Sequence, residues 1–192
     1  MAPRKKFSKE DIITAAFDIA KEEGFDAITI RKVAKKLGSS IAPIYVNFTN
    51  VEELIQEVVQ YVMEIAKQLV LEQNSGDPFR DLGVGGIKFA NKYSVLYRDL
   101  IMKDNPYMKY DEERERFAIE QMKRDPLLET FSDEELIKIL IKMDTLHTGI
   151  AVKAANNLFP SNFSEEDMIE LLDDVAEDII RAALIGKDNS SQ

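Results

Sequence analysis

Apolar residues recur at intervals of three and four along most of the chain, the spacing that lines one face of an α-helix, and no stretch alternates with period two as a strand does. The first such run is Ile12, Ile13, Ala16, Phe17 and Ala20. Ser8 precedes it as a side-chain cap for the first-turn N–H groups, Glu10 and Asp11 suit the positive end of the dipole, Phe7 is placed to staple onto Ile12, and Gly24 stops the run. Thr29 then opens a helix of about two turns whose inner face is Val33, Ala34 and Leu37 and whose stop is Gly38. A third segment, Ile41 to Phe48, is expected to take Ser40 as its cap and to tolerate Pro43 at its third position, because first-turn N–H groups have no partner inside the helix. Two short helices joined by a glycine-containing turn, behind a longer supporting helix, form the pattern of a helix-turn-helix.

Asn50 and Glu53 make the next capping pair, ahead of a helix that keeps its spacing from Val51 through Leu69 and breaks at Asn74-Ser75-Gly76-Asp77-Pro78. Residues 79 to 128 are weakly patterned; their aromatics predict one or two helices on either side of Asn105-Pro106. Ser132-Asp133-Glu134-Glu135 is a capping box opening a helix to about Leu158, and Ser164-Glu165-Glu166-Asp167 opens the last, which Gly186 is expected to end near Ile185. The class is all-α: a three-helix head over residues 1–49 and a helical-bundle body over residues 50–192.

Composition narrows the chemistry. With 45% hydrophobic and 31% charged residues in 192, the chain has the ordinary globular mix. No cysteine is present, which removes disulfides, thiolate metal sites and cysteine nucleophiles, and the single histidine, His147, leaves no His-rich metal site. We expect no metal, no cofactor and no enzyme, since no nucleophile, base and orienting group stand at a recognisable spacing. No run of 18 apolar residues exists, and Asp11 and Asp18 interrupt the apolar run after Arg4, Lys5 and Lys6, so neither a membrane span nor a signal peptide is expected and the cytoplasm is the default location.

The net charge of −10 is unevenly spread. Residues 1–48 hold nine Lys or Arg against six Asp or Glu, net +3, and the rest hold sixteen against twenty-nine, net −13. Screening limits exposed charges to about 10 Å at ordinary salt, so a basic head can dock on phosphate although the body repels it.

The stretch from Thr29 to Phe48, with Leu54 beyond it, resembles the DNA-binding segment of the TetR family of transcriptional regulators. Thr29, Arg31, Val33, Ala34, Gly38, Ser40, Ile44, Tyr45, Phe48 and Leu54 match the family's pattern in register, and the resemblance covers roughly residues 7 to 55. Asn47 stands where the family usually has histidine, Ala42 where it has glycine, and Val51 where it has a lysine aimed at a phosphate. The resemblance implies a DNA interface built from Thr29, Arg31, Ser39, Ser40, Ala42, Pro43, Tyr45 and Asn47, with Tyr45 on a phosphate and the small residues at the end of the third helix entering the major groove.

It further implies a cytoplasmic homodimer, paired through the last two long helices, that acts as a repressor on a roughly palindromic double-stranded operator and is released by a small apolar or aromatic effector. Candidate effector residues are Tyr93, Tyr97, Tyr110, Phe117 and His147. An adaptor of the same fold that binds protein and no longer reads DNA is the alternative, favoured by the absent lysine at Val51 and the acidic body. Gly83-Val84-Gly85-Gly86-Ile87-Lys88 lacks the spacing of a phosphate loop and is read as a weak or kinked helix start.

Overall fold

The computed structural model describes residues 7–103 and 112–190, and among these residues there are helices and the segments that join them but no strand. In chain order the helices are α1 Lys9–Glu23, α2 Ile30–Leu37, α3 Ala42–Asn47, α4 Val51–Leu71, α5 Pro78–Lys92, α6 Ser94–Ile101, α7 Glu112–Met122, α8 Asp133–Ala155 and α9 Glu165–Ser190. Two compact units divide them. One contains α1, α2, α3, α4 through Ile65, and α6; the other contains the remainder of α4 from Ala66, then α5, α7, α8 and α9.

Local chemistry starts these helices where the sequence predicts. Ser8 Oγ accepts from Asp11 N while the Asp11 carboxylate accepts from Ser8 N, and Ser132 and Glu135 repeat the exchange at α8. Thr29 Oγ1 accepts from Lys32 N at 3.2 Å, and Gly38 closes α2 in the left-handed conformation, φ +63°, where a side chain would be strained. Before α5 the chain turns at Asn74 and Gly76, both at positive φ, and the buried Asp81 carboxylate accepts from Ser75 N and Ser75 Oγ.

Three expectations are corrected. Ser40 does not cap the third helix: α3 begins at Ala42, its cap position is Ile41 with no side-chain bond, and Pro43 is its second residue. The Ser39 hydroxyl donates instead to the Ser40 carbonyl at 2.8 Å, an interaction local to the turn. Gly186 does not end α9, which runs on to Ser190; one glycine in an exposed helix costs only about 1 kcal/mol and need not break it. The glycine cluster Gly83, Gly85 and Gly86 is no helix start but lies inside α5, where a Cβ would strike a Leu172 methyl, the Val70 backbone and the His147 ring respectively. Asn105-Pro106 lies outside the described residues.

The unit holding α1 is cored by Ile12, Ala16, Val33, Ile44, Leu54 and Val58, with Leu96 of α6, each at 0% exposure. In the other unit, α5 packs on α7, α8 and α9 around Ile87, Met122, Leu128, Leu136 and Leu172.

Candidate nucleic-acid interface

The residue types along α2 dictate which face turns outward. Val33 and Ala34 are buried, so Arg31, Lys32, Lys35 and Lys36 lie exposed. Between Thr29 and Phe48 these four cations meet no acidic residue in sequence. Lys32 Nζ reaches Glu23 at 2.8 Å and Lys36 Nζ reaches Asp18 at 3.3 Å, both carboxylates of α1, whereas Arg31 and Lys35 have no ion-pair partner among the described residues. Exposed pairs of this kind hold little energy and open readily for a phosphate.

Short α3 cannot hold itself together by its own hydrogen bonds, and is fixed by two anchors: Ile44 at 0% and Phe48 at 2% exposure. With that face inward, Ile41, Ala42, Tyr45 and Val46 are outward; Tyr45 is 55% and Val46 84% exposed. Asn47 Nδ2 donates to the Pro43 carbonyl at 2.9 Å, and Lys9 Nζ sits 5.7 Å from the centre of the Phe48 ring. Lys9 also pairs with Glu57 of α4 at 2.7 Å, and that hydrogen bond holds its ammonium above the ordinary lysine range.

α4 is started by Asn50 Oδ1, which accepts from Glu53 N at 2.8 Å, while Glu53 accepts from Thr49 N at 2.7 Å. These bonds from Thr49, backbone first and side chain second, hold the Glu53 carboxyl below its ordinary range. Val51, in the first turn, is half-buried.

The structure therefore brings together, in one compact unit, all eight residues singled out for the interface. Thr29, Arg31, Ser40, Ala42 and Tyr45 are exposed; Ser39, Pro43 and Asn47 are half-buried. Thr29 and Asn47 also have internal roles, as a cap and as a back-bonded side chain. Sequence reasoning passed over Val46, whose spacing opposite Ile44 and Phe48 marks it as outward, and Ile41, which is exposed at the cap position although it stands three and seven residues before them. It also passed over Asp99 of α6, a buried carboxylate that accepts from Phe25 N at 2.8 Å in the turn between α1 and α2. No sequence signal links positions 74 residues apart.

The effector candidates do not fall in one unit. Tyr93 and the buried Tyr97 belong with α1, Tyr93 edge-on to Phe17 at 6.0 Å between ring centres. Phe117 and His147 belong to the other unit: Lys67 Nζ stands 5.3 Å from the Phe117 ring centre, and the His147 ring lies against Gly86. Tyr110 lies outside the described residues, as do Arg4, Lys5 and Lys6. No helix of the described residues is long and apolar enough to cross a membrane.

The model of the TetR family of bacterial regulatory proteins matches residues 12–58, the span from α1 into α4. No curated protein matches the chain. Solved structures with the same fold include a transcriptional regulator from Rhodococcus sp. Rha1, 19% identical over 92% of this chain and 97% of that one, with a TM-score of 0.66. A variant of TetR from Acinetobacter baumannii AYE in complex with minocycline is 17% identical over 92% and 96%, with a TM-score of 0.60. The fatty acid degradation regulator FadR from Bacillus halodurans is 15% identical over 92% and 97%, with a TM-score of 0.52. Such identities speak for the fold alone, and the sequence of the head speaks for the family. The head, residues 12–58, thus matches the model of the TetR family of bacterial regulatory proteins, and it is carried on the all-helical fold that these solved regulators share.

Proposed function

We propose that the chain is a DNA-binding transcriptional repressor, cytoplasmic and homodimeric, with residues 1–49 as the DNA-binding domain and residues 50–192 for effector binding and dimerisation. The observation that carries the reading is the surface of α2 and α3: four exposed cations, two of them paired with α1 carboxylates, on helices that carry no acid of their own, beside a short helix anchored from behind by Ile44 and Phe48. Cations seat a protein on phosphates, and an outward α3 meets base edges in the major groove. In this reading Thr29, Arg31 and Tyr45 face the backbone, and Ser39, Ser40, Ala42, Pro43 and Asn47 lie toward the groove.

Dimerisation through α8 and α9 is supported by the apolar side chains those helices leave outward. Leu171, Ile185 and, on α8, Ile141 are exposed, and Val175 is half-buried. Gly149 has open space where its Cβ would be. Two copies present two heads, so the operator is a roughly palindromic duplex. The Acinetobacter relative's complex with minocycline supports a small apolar or aromatic effector here, with Tyr93, Tyr97, Tyr110, Phe117 and His147 as candidates for its contacts. The effector acts by binding the DNA-free arrangement of the dimer more tightly than the DNA-bound one.

Selection of bound fragments from random duplex DNA at low salt tests the reading. An enriched inverted repeat, bound by two chains, is the expected result. Failure to retain any duplex, with the protein folded, overturns it in favour of a protein-binding adaptor of the same fold.

A further inference from the structure

Between Leu37 and Phe48 the chain has no charged residue. α3 therefore brings no Arg or Lys to the O6 and N7 acceptors of guanine, the commonest specific contact in the major groove. Its one amide, Asn47, is half-buried and donates one of its two Nδ2 hydrogens to the Pro43 carbonyl at 2.9 Å, which ties that side chain back along its own helix. What α3 turns outward is mostly carbon. Val46 is 84% exposed, more than any other large apolar side chain among the described residues; Ala42, four residues before it, is exposed on the same face, and Ile41, 45% exposed, stands at the cap position of the helix.

Resting on the proposed DNA-binding function, we infer that α3 reads thymine through its C5-methyl group, with Val46 and Ile41 as the contacting side chains and Ala42 leaving room for the approach. The thymine methyl is the apolar group that an A·T pair presents in the major groove. A carbon surface pressed there is removed from water on both sides, whereas the same surface pressed on a guanine or cytosine edge strips polar groups of their water and returns no hydrogen bond. Arg31 and Lys35, without ion-pair partners among the described residues, supply the phosphate contacts that seat the helix. Attraction to the backbone and rejection of unpaired polar edges thus give affinity and specificity to different residues of one surface. Each half-site is expected to hold thymine at fixed positions opposite α3.

The test begins with the duplex selected from random DNA and resynthesises it with deoxyuridine in place of thymidine, one position at a time. Deoxyuridine keeps the O4 acceptor and the base pairing and lacks only the methyl group. Binding should weaken about fourfold for each contacted methyl, the transfer free energy of one CH2-sized group, and about fifteenfold when both half-sites are changed. The slope of log K against log salt should not move, because every phosphate contact remains.

In Val46→Ala, with Ile41→Ala as the companion variant, the penalty for deoxyuridine should vanish at the position that side chain touches. Val46 is 84% exposed, so its truncation leaves the core intact, and a melting curve verifies this. Unchanged affinity for a fully deoxyuridine-substituted duplex overturns the inference and leaves the regulator reading standing. A deoxyuridine penalty that both variants retain in full also overturns it, by placing the methyl contacts outside these side chains. Retention of no duplex at all overturns the regulator reading itself.

Discussion

The Asp99 carboxylate accepts a hydrogen bond from the Phe25 N–H at 2.8 Å and lies against Gly24, so closely that a Cβ there would collide with it. Gly24 is at φ +88°, and Lys103 Nζ bridges Asp99 at 2.8 Å and Asp26 at 3.0 Å. One buried carboxylate on α6 thus fixes the turn that aims α2. Asp99→Ala leaves a buried N–H without its acceptor and should destabilise the protein by about 1–3 kcal/mol in urea denaturation. Asp99→Asn, whose amide oxygen still accepts, should cost less. Gly24→Ala suffers both the positive φ and the collision, and should be the most damaging of the three. Equal stability of all three variants would show that the turn is held by something else.

Helix propensity and packing pull in opposite directions at the glycines of α5. Replacing an interior glycine by alanine favours a helix by about 1 kcal/mol, but overpacking costs about 1–3 kcal/mol. At Gly85 a Cβ meets Val70 Cα at 2.6 Å, a backbone atom that cannot turn aside, so Gly85→Ala should lower the melting temperature. At Gly86 the obstacle is the His147 side chain. Gly86→Ala should therefore be partly rescued by His147→Ala, while Gly85→Ala should not, which a double-mutant cycle by chemical denaturation can read.

Phosphate contacts are separable from base contacts by salt. Arg31→Ala and Lys35→Ala should each flatten the plot of log K against log salt by roughly 0.9 for every phosphate released, about 1.8 for the dimer, and weaken all sequences alike. Tyr45→Phe should weaken all sequences alike with the slope unchanged, since it removes a neutral donor. Val51 is half-buried in the first turn of α4, and Val51→Lys should steepen the slope by about the same 1.8 if its ammonium reaches a phosphate. An anisotropy titration across salt concentrations, beside a melting curve, decides each case; an unmoved slope in folded Arg31→Ala and Lys35→Ala removes α2 from the interface.

Three capping carboxylates fix the sign of the acid response. Glu53, Glu135 and Asp167 are held below ordinary values of 4.5, 4.5 and 3.8 by hydrogen bonds from Thr49, Ser132 and Ser164. The folded state holds their protons more weakly than the unfolded state. Their stabilisation is complete above the ordinary values and is lost as pH falls through the lower folded ones. The melting temperature should therefore decline from about pH 4.5 downward, and Ser132→Ala should show a lower plateau near pH 7 with a shallower acid limb. An acid limb identical to wild type would mean that the Ser132–Glu135 exchange contributes nothing.

The sequence by itself determined what a residue settles with its near neighbours. Ser8 with Asp11, Thr29 with Lys32, Asn50 with Glu53 and Ser132 with Glu135 lie within three positions of each other, so the starts of α1, α2, α4 and α8 were legible, and with them the helix-turn-helix pattern. The exposed cations of α2 were legible for the same reason, because Val33 and Ala34 fix its inner face. Tertiary structure decided the rest. Only the fold left Ile41 exposed although it stands three residues before the buried Ile44, and only the chain's return through α6 set the Asp99 carboxylate against the Phe25 N–H. Three glycines that read as a weak helix start became places where other side chains and backbone fill the missing Cβ positions. The effector candidates likewise separated into two units, because aromatic side chains in a weakly patterned segment carry no mark of which neighbours will enclose them. A cap is satisfied within one turn of chain, whereas a packed contact depends on where distant segments arrive, and the spacing of residues along one helix does not encode that arrival.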